Sequence, residues 1–144
     1  MSNIKINAQY IKDLSFEVPN APEVFLSAAL KPDISLSVDI DAKKLSVNSF
    51  EVTLKMTAKA TGGEKVVFIC ELSYSGVFTL DEKLTNDQEI EQILLIYCPN
   101  ILFPYVRRII SSATVDGGFP PLMLEPIDFA DLYQKRVAQK KEEA

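Results

Sequence analysis

The sequence predicts an α+β fold: a four-stranded antiparallel sheet followed by a long interrupted helix and a shorter C-terminal helix. Two patterns carry this. Apolar and polar residues alternate through much of the first half, the period of half-buried strands, whereas apolar residues of the second half recur three and four apart, the period of helices. At 144 residues the chain is expected to form a single domain, 1–144, with strands first and helices second around one core.

A first strand is read from Ile4, Ile6, Ala8 and Tyr10, whose alternation resumes after Lys12 with Leu14, Phe16 and Val18. Pro19, Pro22 and Pro32 then forbid ladder pairing along a link that begins Pro19-Asn20-Ala21-Pro22-Glu23-Val24-Phe25-Leu26. This link must cross the surface, and it carries Phe25 with it. Two further strands follow. Ile34, Leu36, Val38 and Ile40 interleave with Ser35, Ser37, Asp39 and Asp41, and Phe50, Val52, Leu54, Met56, Ala58 and Ala60 interleave with Glu51, Thr53, Lys55, Thr57 and Lys59. Thr61-Gly62-Gly63-Glu64 supplies a hairpin into a fourth strand, about Lys65 to Phe78. There Val66, Phe68, Cys70, Leu72 and Tyr74 form one face, and Val67, Ile69, Glu71 and Ser73 the other. The apolar pair Val67 and Ile69 on the nominally exposed face reads either as a covered or partner-facing surface or as ordinary surface apolarity. The expected arrangement is a meander with one long link.

Thr85-Asn86-Asp87-Gln88 reads as a capping box that opens a helix with Thr85 as its cap. Ile90, Ile93, Leu94 and Tyr97, then Phe103, Val106, Ile109 and Ile110, keep helical spacing until Gly117-Gly118. Within this helix of about 30 residues, Cys98-Pro99-Asn100-Ile101-Leu102-Phe103-Pro104-Tyr105 places two prolines among apolar side chains. Each proline costs roughly 3 kcal/mol in a helix interior, so a bent helix with an apolar surface is expected. A loop from Phe119 to Pro126 carries three more prolines and the apolar run Leu122-Met123-Leu124. Asp128 then caps a last helix in which Phe129, Leu132, Tyr133 and Val137 share a face. Residues 138–144 contain no large apolar anchor and are expected to form a flexible tail.

Composition excludes much. The chain has no histidine, which removes Ser-His-Asp, Cys-His and His-rich zinc chemistry. Two cysteines are too few for a disulfide scaffold, and the N-terminus does not have the pattern of a signal peptide, so a reducing cytoplasm is expected. A net charge of −5 argues against nucleic acid as a partner and fits basic partners better. The longest uncharged window, Gln92 to Val106, falls short of the roughly 20 residues of a bilayer span, so no membrane insertion is expected. Asp39 and Asp41 share a strand face but read as solvated carboxylates, and Cys70 and Cys98 as small core hydrophobes. No enzyme activity, cofactor or metal is expected. The apolar surplus on Phe25, Phe119, the Leu122 to Leu124 run and the two helices predicts a binding groove, an oligomer interface, or both.

The segments Tyr10-Ile11-Lys12-Asp13-Leu14-Ser15-Phe16-Glu17 with Pro19-Asn20-Ala21-Pro22, then Cys98 to Tyr105 with its Cys-Pro-Asn-Ile-Leu-Phe-Pro string, then Phe119-Pro120-Pro121-Leu122 with Leu124 and Pro126, resemble the SecB protein-export chaperones over residues 4–133. The resemblance implies an ATP-independent holdase, assembled as a homotetramer that is a dimer of dimers. It would bind unfolded precursor proteins in the cytoplasm, keep them competent for translocation and deliver them to the SecA ATPase. It places SecA binding on Asp13, Glu17, Ile69 and Glu71, and a client groove on Phe25, Tyr97, Phe103, Phe119, Leu124, Phe129 and Tyr133. SecB-like proteins also include members that guard an antitoxin, and a peptide-binding module with one defined partner is the remaining alternative.

Overall fold

The computed structural model describes residues 4–26 and 31–143. Part of the link, 27–30, and the end of the tail, 144, lie outside the described residues. Strands β1 (Ile4–Glu17), β2 (Asp33–Lys44), β3 (Ser49–Gly62) and β4 (Lys65–Leu80) form one antiparallel sheet in the order β1-β4-β3-β2. Strands β2 to β4 are the expected meander. β1 pairs with β4, so the link carries the chain from one edge of the sheet to the other, a Greek-key connection. Within it, Glu23–Leu26 forms one short 3₁₀ turn.

Alternation holds through β2 and β3 as the sequence predicts: Val52, Leu54, Met56, Ala58 and Ala60 are all fully buried. In β1 it does not. Register shifts between Ile6 and Ala8 and between Ile11 and Asp13 insert two β-bulges, and each extra residue moves the rest of the strand to the opposite face. Ile4, Ile6, Ile11, Leu14 and Phe16 therefore share the helix-covered side, while Ala8 and Tyr10, expected with them, turn to the outer face. A third shift, between Ala60 and Thr61, takes Val67 out of the outer face. It is 1% exposed, packed in a small cluster with Ala60 and Phe68 under Val18, Val24 and Phe119.

A continuous helical stretch from Asp87 to Asp116 lies along the sheet. It consists of α1 (Asp87–Gln92), a π-helical turn (Ile93–Tyr97) and α2 (Cys98–Asp116). By length and apolarity alone it would cross a bilayer. Instead Leu94, Cys98, Leu102, Val106 and Ile110 pack into the sheet's core, with Leu54, Leu72 and Phe78 among their partners in the cluster. The cap is Asn86 rather than Thr85: its Oδ1 accepts from the amides of Gln88 at 2.9 Å and Glu89 at 3.2 Å. The interruption expected near Pro99 is the π turn just before it, closed by a hydrogen bond from the Cys98 amide to the Ile93 carbonyl. Widening the coil there relieves the clash between the Pro99 ring and the preceding turn.

The last helix, α3 (Phe129–Glu143), is capped by Asp128, whose carboxylate accepts from the Asp131 amide at 3.0 Å. It continues through 138–143, where the sequence predicts a tail without an anchor. The helices cover β3 and β4 but not the whole sheet. At the β1 edge Ile6, Ile11 and Leu14, and at the β2 edge Ile34 and Leu36, remain exposed on the helix-bearing side.

Candidate functional site

Two surfaces on opposite sides of the sheet stand out. On the helix-bearing side, the link, the β2 edge and the loop after α2 enclose a pocket of about 370 Å³, at the small end of the range for ligand pockets. Phe25, Ile34, Phe68, Phe119 and Leu122 form its apolar lining, with Pro32, Pro120 and Pro121 at its walls. Phe119 is the hub of an aromatic cluster: its ring centroid lies 5.2 Å from that of Phe25, 5.0 Å from Phe68 and 6.3 Å from Phe16.

The end of α2 is built to bring these rings together. Gly118 ends the helix at φ +95, a conformation that L side chains rarely adopt, and a Cβ there would sit 3.0 Å from the Phe25 ring. At Gly117 a Cβ would run into the Phe16 ring, so only glycine lets β1 approach this closely. The chain then turns at once into Phe119-Pro120-Pro121.

A second depression lies farther along the same side, between β2, the π turn and α3. Val38, Ile40, Leu95, Leu132 and Tyr133 supply its apolar wall, and Arg136 closes it by donating to the Ile40 carbonyl at 3.3 Å. The exposed Leu36 of β2 lies between Ile34 of the first depression and Val38 of the second, on the same face.

The residues expected to line a client groove therefore divide. Phe25 and Phe119 line the first depression and Tyr133 the second. Tyr97 is half-exposed on the π turn and belongs to neither. Leu124 and Phe129 are core residues, 2% and 1% exposed, and Phe103 is buried with its ring 6.0 Å from that of Phe129. Phe103 and Phe129 stand on the buried faces of α2 and α3, and Leu124 is packed into the same core from the loop between the two helices. Ile34, Leu36 and Phe68 were missed because period two assigns them to the core. Only the edge position of β2, set by the strand order, leaves the first two uncovered.

The outer face of the sheet holds the other predicted set. Opposite residues in antiparallel strands share a face, and Asp13 pairs with Ser73, Ser15 with Glu71, and Glu17 with Ile69. Asp13, Glu17, Ile69 and Glu71 thus gather on β1 and β4, with both Asp13 and Glu17 exposed and Ile69 half-buried between. Lys59 and Lys55 of β3 lie opposite Ile69 and Ser73, so the acidic strip has a basic margin. The bulge between Ile11 and Asp13 sets this phase: without it Asp13 and Glu17 would point to the helix side.

Both cysteines are buried, and burial, helped at Cys70 by the charge of Glu71, pushes their thiols up to about 11 for Cys70 and about 12 for Cys98. Thiols so placed stay protonated and unreactive at neutral pH. Among the described residues no group of three or more Asp, Glu or Cys side chains comes together to hold a metal.

Comparison with known proteins agrees with this geometry. A family model described as "Preprotein translocase subunit SecB" matches residues 1–140. The "Protein-export protein SecB" of Rhodospirillum centenum is 47% identical over 135 residues, covering 94% of this chain and 80% of that protein. The protein of the same description from Parvibaculum lavamentivorans is 45% identical, covering 98% and 83%. Among solved structures, a SecB-like chaperone of Mycobacterium tuberculosis in complex with an antitoxin peptide superposes with a TM-score of 0.72 over 87% of this chain and 91% of its own, at 16% identity, a likeness of fold. The sequence pattern, the sheet with its two helices and the family match over nearly the whole length agree, and the chain belongs to the SecB family.

Proposed function

We propose that this chain is an export chaperone that holds unfolded precursor proteins in the cytoplasm and passes them to the SecA motor. It would act by binding alone, with no nucleotide and no chemical step. The observation that carries the reading is the run of exposed and half-buried apolar side chains from Phe25 and Phe119 through Ile34 and Leu36 to the depression at Tyr133. A folded protein has buried the side chains that such a surface accepts; an unfolded one has not. Each apolar side chain buried contributes roughly 1.5–3 kcal/mol, so a few contacts reach the roughly 8 kcal/mol of micromolar binding. Holding the unfolded state also shifts the client's own equilibrium away from folding, which keeps it competent for translocation.

The acidic strip of Asp13, Glu17 and Glu71 around Ile69 is the proposed SecA surface. Carboxylates steer a basic partner, and the apolar Ile69 between them gives it something to bury. Since this strip is on the outer face and the groove on the helix side, client and motor would bind at once. The exposed Ile6, Ile11 and Leu14 of the edge strand β1 support assembly with further copies of the chain, in a homotetramer formed as a dimer of dimers. Several grooves on one particle would then hold one client by avidity.

Light scattering on the protein alone, with an unfolded precursor and with the same precursor folded, tests this. A tetramer whose mass grows only with the unfolded form is the expected result. A monomer, or equal capture of both forms, would overturn it.

A further inference from the structure

Thr114 is a fully buried polar side chain near the end of α2, and two of its hydrogen bonds tie down the loop that walls the groove. Its hydroxyl donates to the Ser111 carbonyl at 2.7 Å, which turns an oxygen lone pair outward, and that lone pair accepts from the Leu122 amide at 3.0 Å. Its backbone carbonyl accepts from the Phe119 amide, also at 3.0 Å. Pro120 and Pro121, between these two amides, have no N–H to donate. Every amide donor in Phe119-Pro120-Pro121-Leu122 therefore ends on one residue.

From this clamp we infer that Thr114 is a positioning residue for client binding: it fixes the prolyl wall and the Phe119 ring of the groove without touching the client. The inference rests on the proposed holdase reading. The backbone tie to Phe119 exists whatever the side chain, but the tie to Leu122 needs a hydroxyl. Valine has the same shape and cannot accept, so the Leu122 amide must leave its place to find a partner, and the wall moves with it. Serine keeps the acceptor.

The experiment compares unaltered protein, Thr114→Val and Thr114→Ser, with reduced, alkylated lysozyme as the unfolded client. Thr114→Val should weaken client binding roughly 5- to 10-fold, chiefly by faster release, while oligomer mass and affinity for SecA stay unchanged. Thr114→Ser should restore most of the loss. Equal release rates for the valine variant and the unaltered protein would overturn the inference, as would a loss that SecA affinity shares. Amide exchange in the unaltered protein asks the same question if the valine variant does not fold. The Leu122 amide should be protected, and more so with client bound; exchange at the rate of an open loop, with and without client, overturns the clamp. Failure of the unaltered protein to capture the client at all sinks the holdase reading and this inference together, whereas capture that is indifferent to Thr114→Val sinks only the inference.

Discussion

Tyr10 on β1 reaches across β4 and donates its phenolic hydrogen to the carboxylate of Glu51 on β3. The other oxygen of that carboxylate receives the Lys12 ammonium at 2.8 Å. Lys12 is the extra residue of the second bulge in β1, so Glu51 holds the strand at the point where its phase changes. The same phase change turns Asp13 and Glu17 outward beside Glu71. One carboxylate on β3 thereby supports the geometry of the acidic strip on β1.

This pair predicts a pH dependence at both ends of the scale. The bonds from Lys12, and then from Tyr10, hold the Glu51 carboxyl below its ordinary range. Its contribution to stability is present above the unfolded value of roughly 4.3 and is lost as pH falls through the lower folded value. Burial, and then the bond to Glu51, push Tyr10 up to about 12. That contribution is complete below the unfolded value of roughly 10 and is lost as pH rises through the folded one. Tyr10→Phe should destabilise the protein by about 1–2 kcal/mol at neutral pH. Its melting temperature should also fall less steeply than that of the unaltered protein above pH 10. Parallel melting curves against pH for the two proteins would show that the bond does not form.

Such a bridge is not legible in a single sequence. The strict alternation of β2 and β3 was legible, because one buried face imposes period two on every residue. In β1 the same rule misled: Ile4, Ile6, Ala8 and Tyr10 look continuous, yet a bulge costs one residue and leaves no mark in composition. Asn86 against Thr85 is a similar case, since both side chains cap well and the loop that approaches decides between them. The acidic strip was located through the family resemblance, and the register then brought its members together. Phe25 and Phe119, which the structure brings together, stood out in the sequence because the prolines around them forbid long regular elements. Leu124 and Phe129, expected in the groove, are buried in the core: at Phe129 helical spacing marks a buried face without saying what covers it, and at Leu124 an apolar run on a loop does not say which of its side chains turns inward.

Reversing one charge on the acidic strip should separate motor binding from client holding. Glu71→Lys places a cation beside Ile69 and next to the basic margin of Lys55 and Lys59. Affinity for SecA, followed by calorimetry, should fall roughly tenfold or more, and the difference should shrink as added salt screens the strip. Capture of an unfolded precursor should not change, because the groove is on the other face. Equal SecA affinity in the two proteins would show that the motor docks elsewhere.

Assembly is expected to depend on the uncovered part of β1. Ile11 is 49% exposed and Leu14 42% on the part of the helix-bearing side that the helices leave bare, at a strand edge that pairs with no further strand among the described residues. Ile11→Asp removes an apolar side chain worth roughly 1.5–3 kcal/mol when buried and adds a charge that an interface would have to desolvate. Light scattering at micromolar protein should show a smaller particle, with far-ultraviolet circular dichroism unchanged because no residue of the monomer's core is touched. A particle of undiminished mass would place the subunit contact elsewhere.

Two phenylalanines close in sequence should behave in opposite ways. Phe129 is 1% exposed, packed edge-on against Phe103 beneath the sheet, and truncating it leaves a cavity that the long strands cannot collapse to fill. Phe129→Ala should cost about 3–5 kcal/mol of stability, and its effect on client binding should vanish when the variants are compared under conditions where both are folded. Phe119 is only half-buried, between Phe25, Phe68 and the groove. Phe119→Ala should cost the fold less and release an unfolded client several-fold faster, the loss of one apolar contact among several. Denaturant unfolding and client dissociation rates measured on both variants decide the matter. If Phe129→Ala speeds release from fully folded protein as much as Phe119→Ala does, the buried helix face takes part in client binding after all.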